Sequence, residues 1–432
     1  MFSALVLTNI LLLLALLRLA NSSNLLFLRG SALNPITFIA ILNLFFMLDF
    51  IGLHLDPVVD LYEEPFPVNE GDINLGYFFY LCCLTFAIAG IAAALNNASP
   101  TPDKFALHIN NASTQHSDIA FRLVMLIGLI ATGFLLLSFN DLMAGNVTRQ
   151  NFFTDNKLLN IAFSAIPTAL AFYMRDKNPM ASKTIAAVLL CTLIIFATGS
   201  RGAVILIVII FAYTINTRLR SIPTLLYFIA IPAVAGMLLS VRYFFRTSMQ
   251  YDTLGSFIED KGGLFSLFFN TAEISMAEII VTIVKWGDYV ARYPFESFIG
   301  GLMYPLPRSI FTFKPLGAGG AFTEEFSPVR WELTRSEIVT TGFGDLYLQF
   351  GFIGTLIFMF LLAYAWTRLV KASLSVSGSN SIVLIPFLMW WAYLFLRSGI
   401  FNMAGAIWSF MLVVVIIKLI GLFQFKMKDS PS

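Results

Sequence analysis

Two short stretches combine cations with glycine or proline in ways suited to holding an anion. The first, Gly199-Ser200-Arg201-Gly202, lies between the apolar runs 184–198 and 203–217. At 1.5 Å per residue each run reaches about 22 Å, short of the ~30 Å hydrocarbon thickness of a bilayer. Arg201 is therefore expected slightly below the membrane surface. A guanidinium there costs at least about 2.5 kcal/mol unless it is paired or wetted, so it should face a cavity or an anion. The flanking glycines allow a tight turn that exposes nearby amides to the same anion. The second stretch runs from Tyr304 to Pro315 (YPLPRSIFTFKP) and is followed by Gly317, Gly319 and Gly320. Pro305, Pro307 and Pro315 fix the backbone from which Arg308 and Lys314 are displayed. Arg308 can grip a phosphate with two parallel hydrogen bonds, and Lys314 adds a point charge. The same residue types also anchor proteins to lipid headgroups, and both readings stand at this level.

Beyond the prolines come Glu324, Glu325, Arg330, Trp331, Glu332, Arg335, Glu337 and Asp345. A carboxylate in this stretch could take the proton of a sugar hydroxyl. For each acid taken alone, a solvated loop charge is the simpler explanation. Tyr304 and Trp331 offer apolar faces for sugar rings. Arg242 and Arg246, one helical turn apart after an apolar run, extend the basic character of the same region or anchor it to headgroups. Arg397 closes another apolar run in LFLRSG, with Asn402 close behind.

The elements that must position these residues follow from composition. Of 432 residues, 58% are hydrophobic and only 12% charged, with 44 Phe. Soluble proteins carry about 25% charged residues, so a water-soluble chain is excluded. Apolar runs near the ~20-residue spanning length recur with polar or Pro/Gly breaks. They predict an all-α polytopic membrane protein of about eleven transmembrane helices, near 2–18, 35–55, 75–95, 119–139, 158–174, 183–199, 203–217, 222–241, 345–367, 381–397 and 403–424. Basic residues of short loops mark the cytoplasmic side. Arg18, Arg29, Lys104, Arg122, Arg175, Lys177, Lys183, Arg218, Arg220, Arg368, Lys371, Lys418, Lys426 and Lys428 fall on one side of this map. That side is assigned to the cytoplasm, with the N-terminus outside and the C-terminus inside. The whole chain, 1–432, reads as a single helical membrane domain, with a large outer loop at 242–344 inserted between spans. Within that loop, 264–293 has helix-period apolar positions (Ile274, Ala277, Ile280, Val281, Val284), which fits a helix along the membrane surface or packed on the bundle.

The same composition excludes several functions. A net charge of +2 gives no basic surface for nucleic acid. Cys82, Cys83 and Cys191 sit in apolar runs with no disulfide or zinc spacing, and no GxxxxGK[ST] segment is present. No cofactor or metal is expected. Beyond the first and last turns of these runs, charges inside spans are limited to Asp49 and Lys418, both toward span ends, which weighs against an ion-driven transporter or flippase.

With these residues in view, the chain resembles the Wzy-type oligosaccharide repeat-unit polymerases, which include the O-antigen and enterobacterial common antigen polymerases. The resemblance rests on four places in one order: Gly199 to Gly202, Pro305 to Pro315, the run Gly342 to Gly354 (GFGDLYLQFGFIG), and Leu394 to Met403 (LFLRSGIFNM). Arg308 and Gly319 match the Arg-x10-Gly spacing of some members, in a single copy. The resemblance implies glycosyl transfer between two glycans carried on undecaprenyl diphosphate, at the periplasmic face of a bacterial inner membrane. It implies a donor and an acceptor of that kind, the surrounding membrane lipid, and a chain-length regulator and a flippase as companions. Under it, Arg201, Arg308, Lys314 and Arg397 would stabilise the departing diphosphate without metal, and one of Glu324, Glu325 or Glu337 would act as base. A glycan ligase of similar architecture is the nearest rival.

Overall fold

The computed structural model describes residues 1–22, 34–59, 66–97, 114–137, 157–197, 201–218, 276–287, 294–306, 310–334, 338–375 and 378–428. In order, the helices are α1 (Phe2–Ser22), α2 (Pro35–Leu55), α3 (Glu70–Asn96), α4 (Thr114–Leu137), α5 (Lys157–Met174), α6 (Ser182–Ala197) and α7 (Arg201–Arg218). They continue with α8 (Met276–Trp286), α9 (Glu296–Leu302), α10 (Ala318–Phe326), α11 (Pro328–Thr334), α12 (Thr341–Ser375) and α13 (Gly378–Lys428). Among the described residues the fold is all-helical apart from one two-residue antiparallel pairing, β1 (Val58–Val59) with β2 (Phe66–Pro67).

Among the described residues, six helical stretches are long and apolar enough to cross a membrane: Phe2–Ala20, Pro35–Leu55, Glu70–Asn96, Gln115–Gly133, Thr341–Leu374 and Ser381–Leu422. Three shorter apolar helices, Ile161–Met174, Ser182–Ile195 and Ala203–Arg218, accompany them. Eleven crossings are thus not established. The expected span at 222–241 lies outside the described residues. The expected spans 381–397 and 403–424 are the two halves of α13, separated by a non-helical Gly399 (φ 79°, ψ −174°). A second break, at Gly351 (φ 68°, ψ −171°), divides α12.

Helices α3 and α12 pack closely because small residues let the backbones approach: a Cβ on Gly90 would lie 2.4 Å from the Phe360 carbonyl oxygen. Inside the bundle, Asn43 on α2 links Asn9 on α1 to Tyr80 on α3. Asn43 Nδ2 donates to Asn9 Oδ1 at 2.9 Å and Tyr80 Oη donates to Asn43 Oδ1 at 2.5 Å. Asn9 Nδ2 in turn donates to Tyr77 Oη at 3.0 Å. In hydrocarbon a polar group without a partner costs several kcal/mol, so these side chains answer one another.

The helix expected within 264–293 could lie on the membrane surface, pack on the bundle or form a twelfth span, and the 11-residue α8 packs on the bundle. Ala277, Ile280 and Val281 of α8 are fully buried, and Val281 sits against Gly76 of α3. Ile274 lies outside the described residues. Asp49, the in-span acid of α2, accepts from the Ala277 N–H at 2.6 Å, placing a carboxylate at the positive end of α8. At the other end of α8, Lys285 pairs with Asp72 at 2.5 Å. Asp72 also belongs to the capping box that starts α3.

Several basic residues assigned to one membrane side do cluster around helix ends. Lys177, after α5, pairs with Asp118 of α4 at 2.8 Å. Arg218, ending α7, donates to the carbonyls of Lys177 and Arg175. Lys371, near the end of α12, donates to the carbonyls of Ala94, Leu95 and Asn97 at the C-terminus of α3, where a cation complements the negative end of the helix.

Candidate functional site

The breaks in α12 and α13 build a polar junction. The short first part of α12 starts at Thr341, whose Oγ1 accepts from the Gly344 N–H at 3.1 Å. It presents Asp345 and Gln349, four residues apart, on one face. Gly342 allows this segment to lie against α13, since a Cβ there would be 2.6 Å from the Phe395 carbonyl oxygen. At the Gly399 break, the second half of α13 begins with N–H groups that have no partner in their own helix. Asp345 Oδ2 accepts one of them, from Ile400, at 2.7 Å. Gly399 meets two requirements at once. Its φ of 79° suits glycine, and any Cβ would lie 2.6 Å from Asp345 Oδ2.

Asp345 Oδ1 accepts from Ser297 Oγ at 2.6 Å and from Gln349 Nε2 at 3.1 Å. Gln349 Oε1 accepts from the Ser297 N–H at 3.1 Å, within the first turn of α9. Ser297 Oγ accepts from the Ala318 N–H at 3.0 Å, at the start of α10. One buried cluster thus supplies acceptors to the first turns of α9, α10 and the second half of α13. Beside it is a cavity of about 10 Å³, room for one water, lined by residues including Ser297, Gly317, Gly319, Asp345, Ser398 and Asn402.

This junction corrects the sequence reading of Asp345. Expected as a solvated loop charge, it is 2% exposed in a helix, because three donors from three segments surround its carboxylate. Lys314 is also corrected. It was expected on display, yet it is 4% exposed, with Nζ donating to the carbonyls of Tyr304 at 2.9 Å and Leu306 at 3.0 Å. It braces the proline-rich turn from inside. Trp331, expected to offer a face to sugars, is buried at 4% exposure beside Gly320. Tyr304 is half-buried and packed on Phe401 and Gly405, its ring 5.5 Å from that of Phe401. Glu324 and Glu325 are exposed on α10, away from the buried cluster.

Arg397 ends the first half of α13 at the break itself and is half-exposed, with Nη1 3.4 Å from Ser398 Oγ. Arg308, Arg335, Glu337, Arg242 and Arg246 lie outside the described residues. Arg201 opens α7 and Arg330 lies in α11, and their side chains lie outside the described residues. Of the four segments that carried the resemblance, two meet at the junction: Asp345 belongs to 342–354, and Ser398 and Asn402 to 394–403, while Gly317 and Gly319, just past the proline-rich segment, line the same cavity. Ser297 and Gln349 were missed. The one available signal was the four-residue spacing of Asp345 and Gln349 at the start of an apolar run.

Among the described residues, no three His, Cys, Asp or Glu side chains are placed to hold a metal ion. Comparison of the chain with models of known protein families, with curated proteins and with solved structures returned no match.

Proposed function

We propose that the protein is a glycan polymerase of the Wzy type, joining oligosaccharide units carried on undecaprenyl diphosphate. In this reading the described membrane helices, with 222–241, make up eleven crossings of a bacterial inner membrane. The junction faces the periplasm and the basic helix ends face the cytoplasm.

The observation that supports this reading is the meeting of three sequence-distant segments around Asp345, with Arg397 at the helix break beside them. A lipid diphosphate leaving group gains negative charge as its glycosidic bond breaks. Arg397, held at a fixed break and half open to its surroundings, is suited to share that charge, together with Arg308 and Arg201. Asp345 is a positioning residue here. Its carboxylate is engaged by Ser297, Gln349 and Ile400, and through Ile400 it sets the direction in which the chain leaves Arg397. Lys314 supports the turn that carries Arg308. The base toward the acceptor hydroxyl is left unassigned. Glu324 and Glu325 are the described candidates, and Glu337 is the third.

The test is replacement of Arg397 or Arg308 by Ala in the native host, with surface polysaccharide displayed on a gel. A polymerase predicts collapse of the long-chain ladder to single-repeat material at normal protein level. An unchanged ladder refutes the role of the arginine replaced. Long chains retained on the carrier lipid would identify a ligase instead.

A further inference from the structure

A cavity of about 240 Å³ lies between α2, α3, α12 and both halves of α13, lined almost entirely by apolar side chains. Its lining follows one stripe per helix: Tyr80, Leu84, Ala87 and Ile91 on α3, and Met359 to Leu369 on α12. At 1.5 Å per residue those stripes run about 15 Å, whereas a sphere of this volume would be about 8 Å across. The space is therefore a slot. An apolar cavity of about 150 Å³ already stays dry and takes up small hydrocarbons, so a larger one inside a membrane bundle is suited to a hydrocarbon chain.

The two ends of the slot differ. Toward one end its lining includes Phe343 and the hydrogen-bonded pair Tyr80 and Asn43. Toward its other end, Ala365 and Leu369 of α12 line the slot and are also exposed among the described residues, Leu369 at 48%. Arg368 and Lys371 lie within one turn of Leu369, at the basic end of the bundle. Cations at that level attract anionic headgroups.

We propose that this slot is a binding site for one acyl chain of an anionic glycerophospholipid, which enters sideways past Leu369 with its headgroup near Arg368 and Lys371. The site opens toward the membrane side opposite the Asp345 junction, and it does not depend on the polymerase reading.

The test uses the full-length protein in nanodiscs containing phosphatidylglycerol or phosphatidylcholine with a photoactivatable diazirine in the acyl chain, followed by peptide mapping of the adducts. Adducts on Met359 and Trp391 are expected to exceed those on Leu190 and Leu193, which are exposed on α6 and report general lipid contact. The phosphatidylglycerol probe is expected to label the slot about fivefold more strongly than phosphatidylcholine. Ala87→Phe, which fills the slot, should abolish the slot adducts and leave those on α6. Slot labelling no higher than on α6 overturns the site, and this comparison needs only the wild-type protein. Equal labelling by the two probes overturns the anionic occupant. Because none of these readouts measures polysaccharide, loss of the polymerase assignment would leave the result intact.

Discussion

The Asp345 carboxylate accepts a 2.7 Å hydrogen bond from the backbone N–H of Ile400, the first residue after the Gly399 break. An acid on one broken helix thereby caps the second half of another. The same carboxylate holds Ser297, whose hydroxyl oxygen caps α10, so a single side chain aligns segments far apart in the chain.

Removing that carboxylate strands two donors at once. Asp345→Ala leaves Ser297 and Ile400 without their acceptor, while Gln349 Nε2 keeps the Asp345 backbone carbonyl, and each buried unsatisfied donor costs about 1–3 kcal/mol. A loss of about 3 kcal/mol or more is expected, read as a lower thermal midpoint in detergent. Asp345→Asn keeps one oxygen and should fall between wild type and Asp345→Ala.

Gly399→Ala meets both the positive φ and the 2.6 Å contact with Asp345 Oδ2. The backbone term alone costs about 1–2 kcal/mol, and the contact adds to it. Pairing it with Asp345→Ala in a double-mutant cycle should give a penalty smaller than the sum, because the shorter side chain relieves the contact.

Arg397 is expected to matter for turnover more than for stability. If it supports the leaving diphosphate, Arg397→Ala should lower polymerisation about 100-fold or more at near-normal protein level. Arg397→Lys keeps the charge and loses the planar fork, so only partial recovery is expected. Full recovery with Lys would show that charge alone suffices.

Docking of α8 rests on its two ends. Asp49→Ala removes the acceptor for the Ala277 N–H, a helix cap typically worth about 0.5–2 kcal/mol. Hydrogen exchange in 276–286 should accelerate. Lys285→Ala breaks a partly exposed ion pair with Asp72 and should change stability by only about 0–1 kcal/mol.

The Lys177–Asp118 pair sets an alkaline limit. Its hydrogen bond to Asp118 holds the Lys177 ammonium above the ordinary 10.5. An amine raised in the folded state contributes stability that is fully present below 10.5 and lost as pH rises through the raised value. The gap in melting midpoint between wild type and Lys177→Met should stay constant up to about 10.5 and narrow as pH rises from there through the raised value.

Much of the helical framework was legible in the residues alone. Long apolar runs such as 35–55 and 75–95 coincide with α2 and α3, because a backbone in hydrocarbon must satisfy its own hydrogen bonds and a helix does so within one segment. Prolines and glycines marked the turn at 304–315 for the same local reason. The gap read between the runs 381–397 and 403–424 contains Gly399, where α13 is broken.

The destination of each polar side chain was decided only by tertiary structure. Lys314 and Trp331 carry no local signal that separates a displayed group from a buried one. Lys314 is buried because the carbonyls of Tyr304 and Leu306 fold back around its ammonium. Asp345 looked like one more acid in a charged stretch, yet donors from α9, α12 and α13 converge on it and make its burial tolerable. Periodicity and hydropathy act within a single helix and so can be read along the chain. The partners of Lys314 lie 8 and 10 residues back along a turn, and two of those of Asp345 lie 48 and 55 residues away, so only the packed fold brings them together.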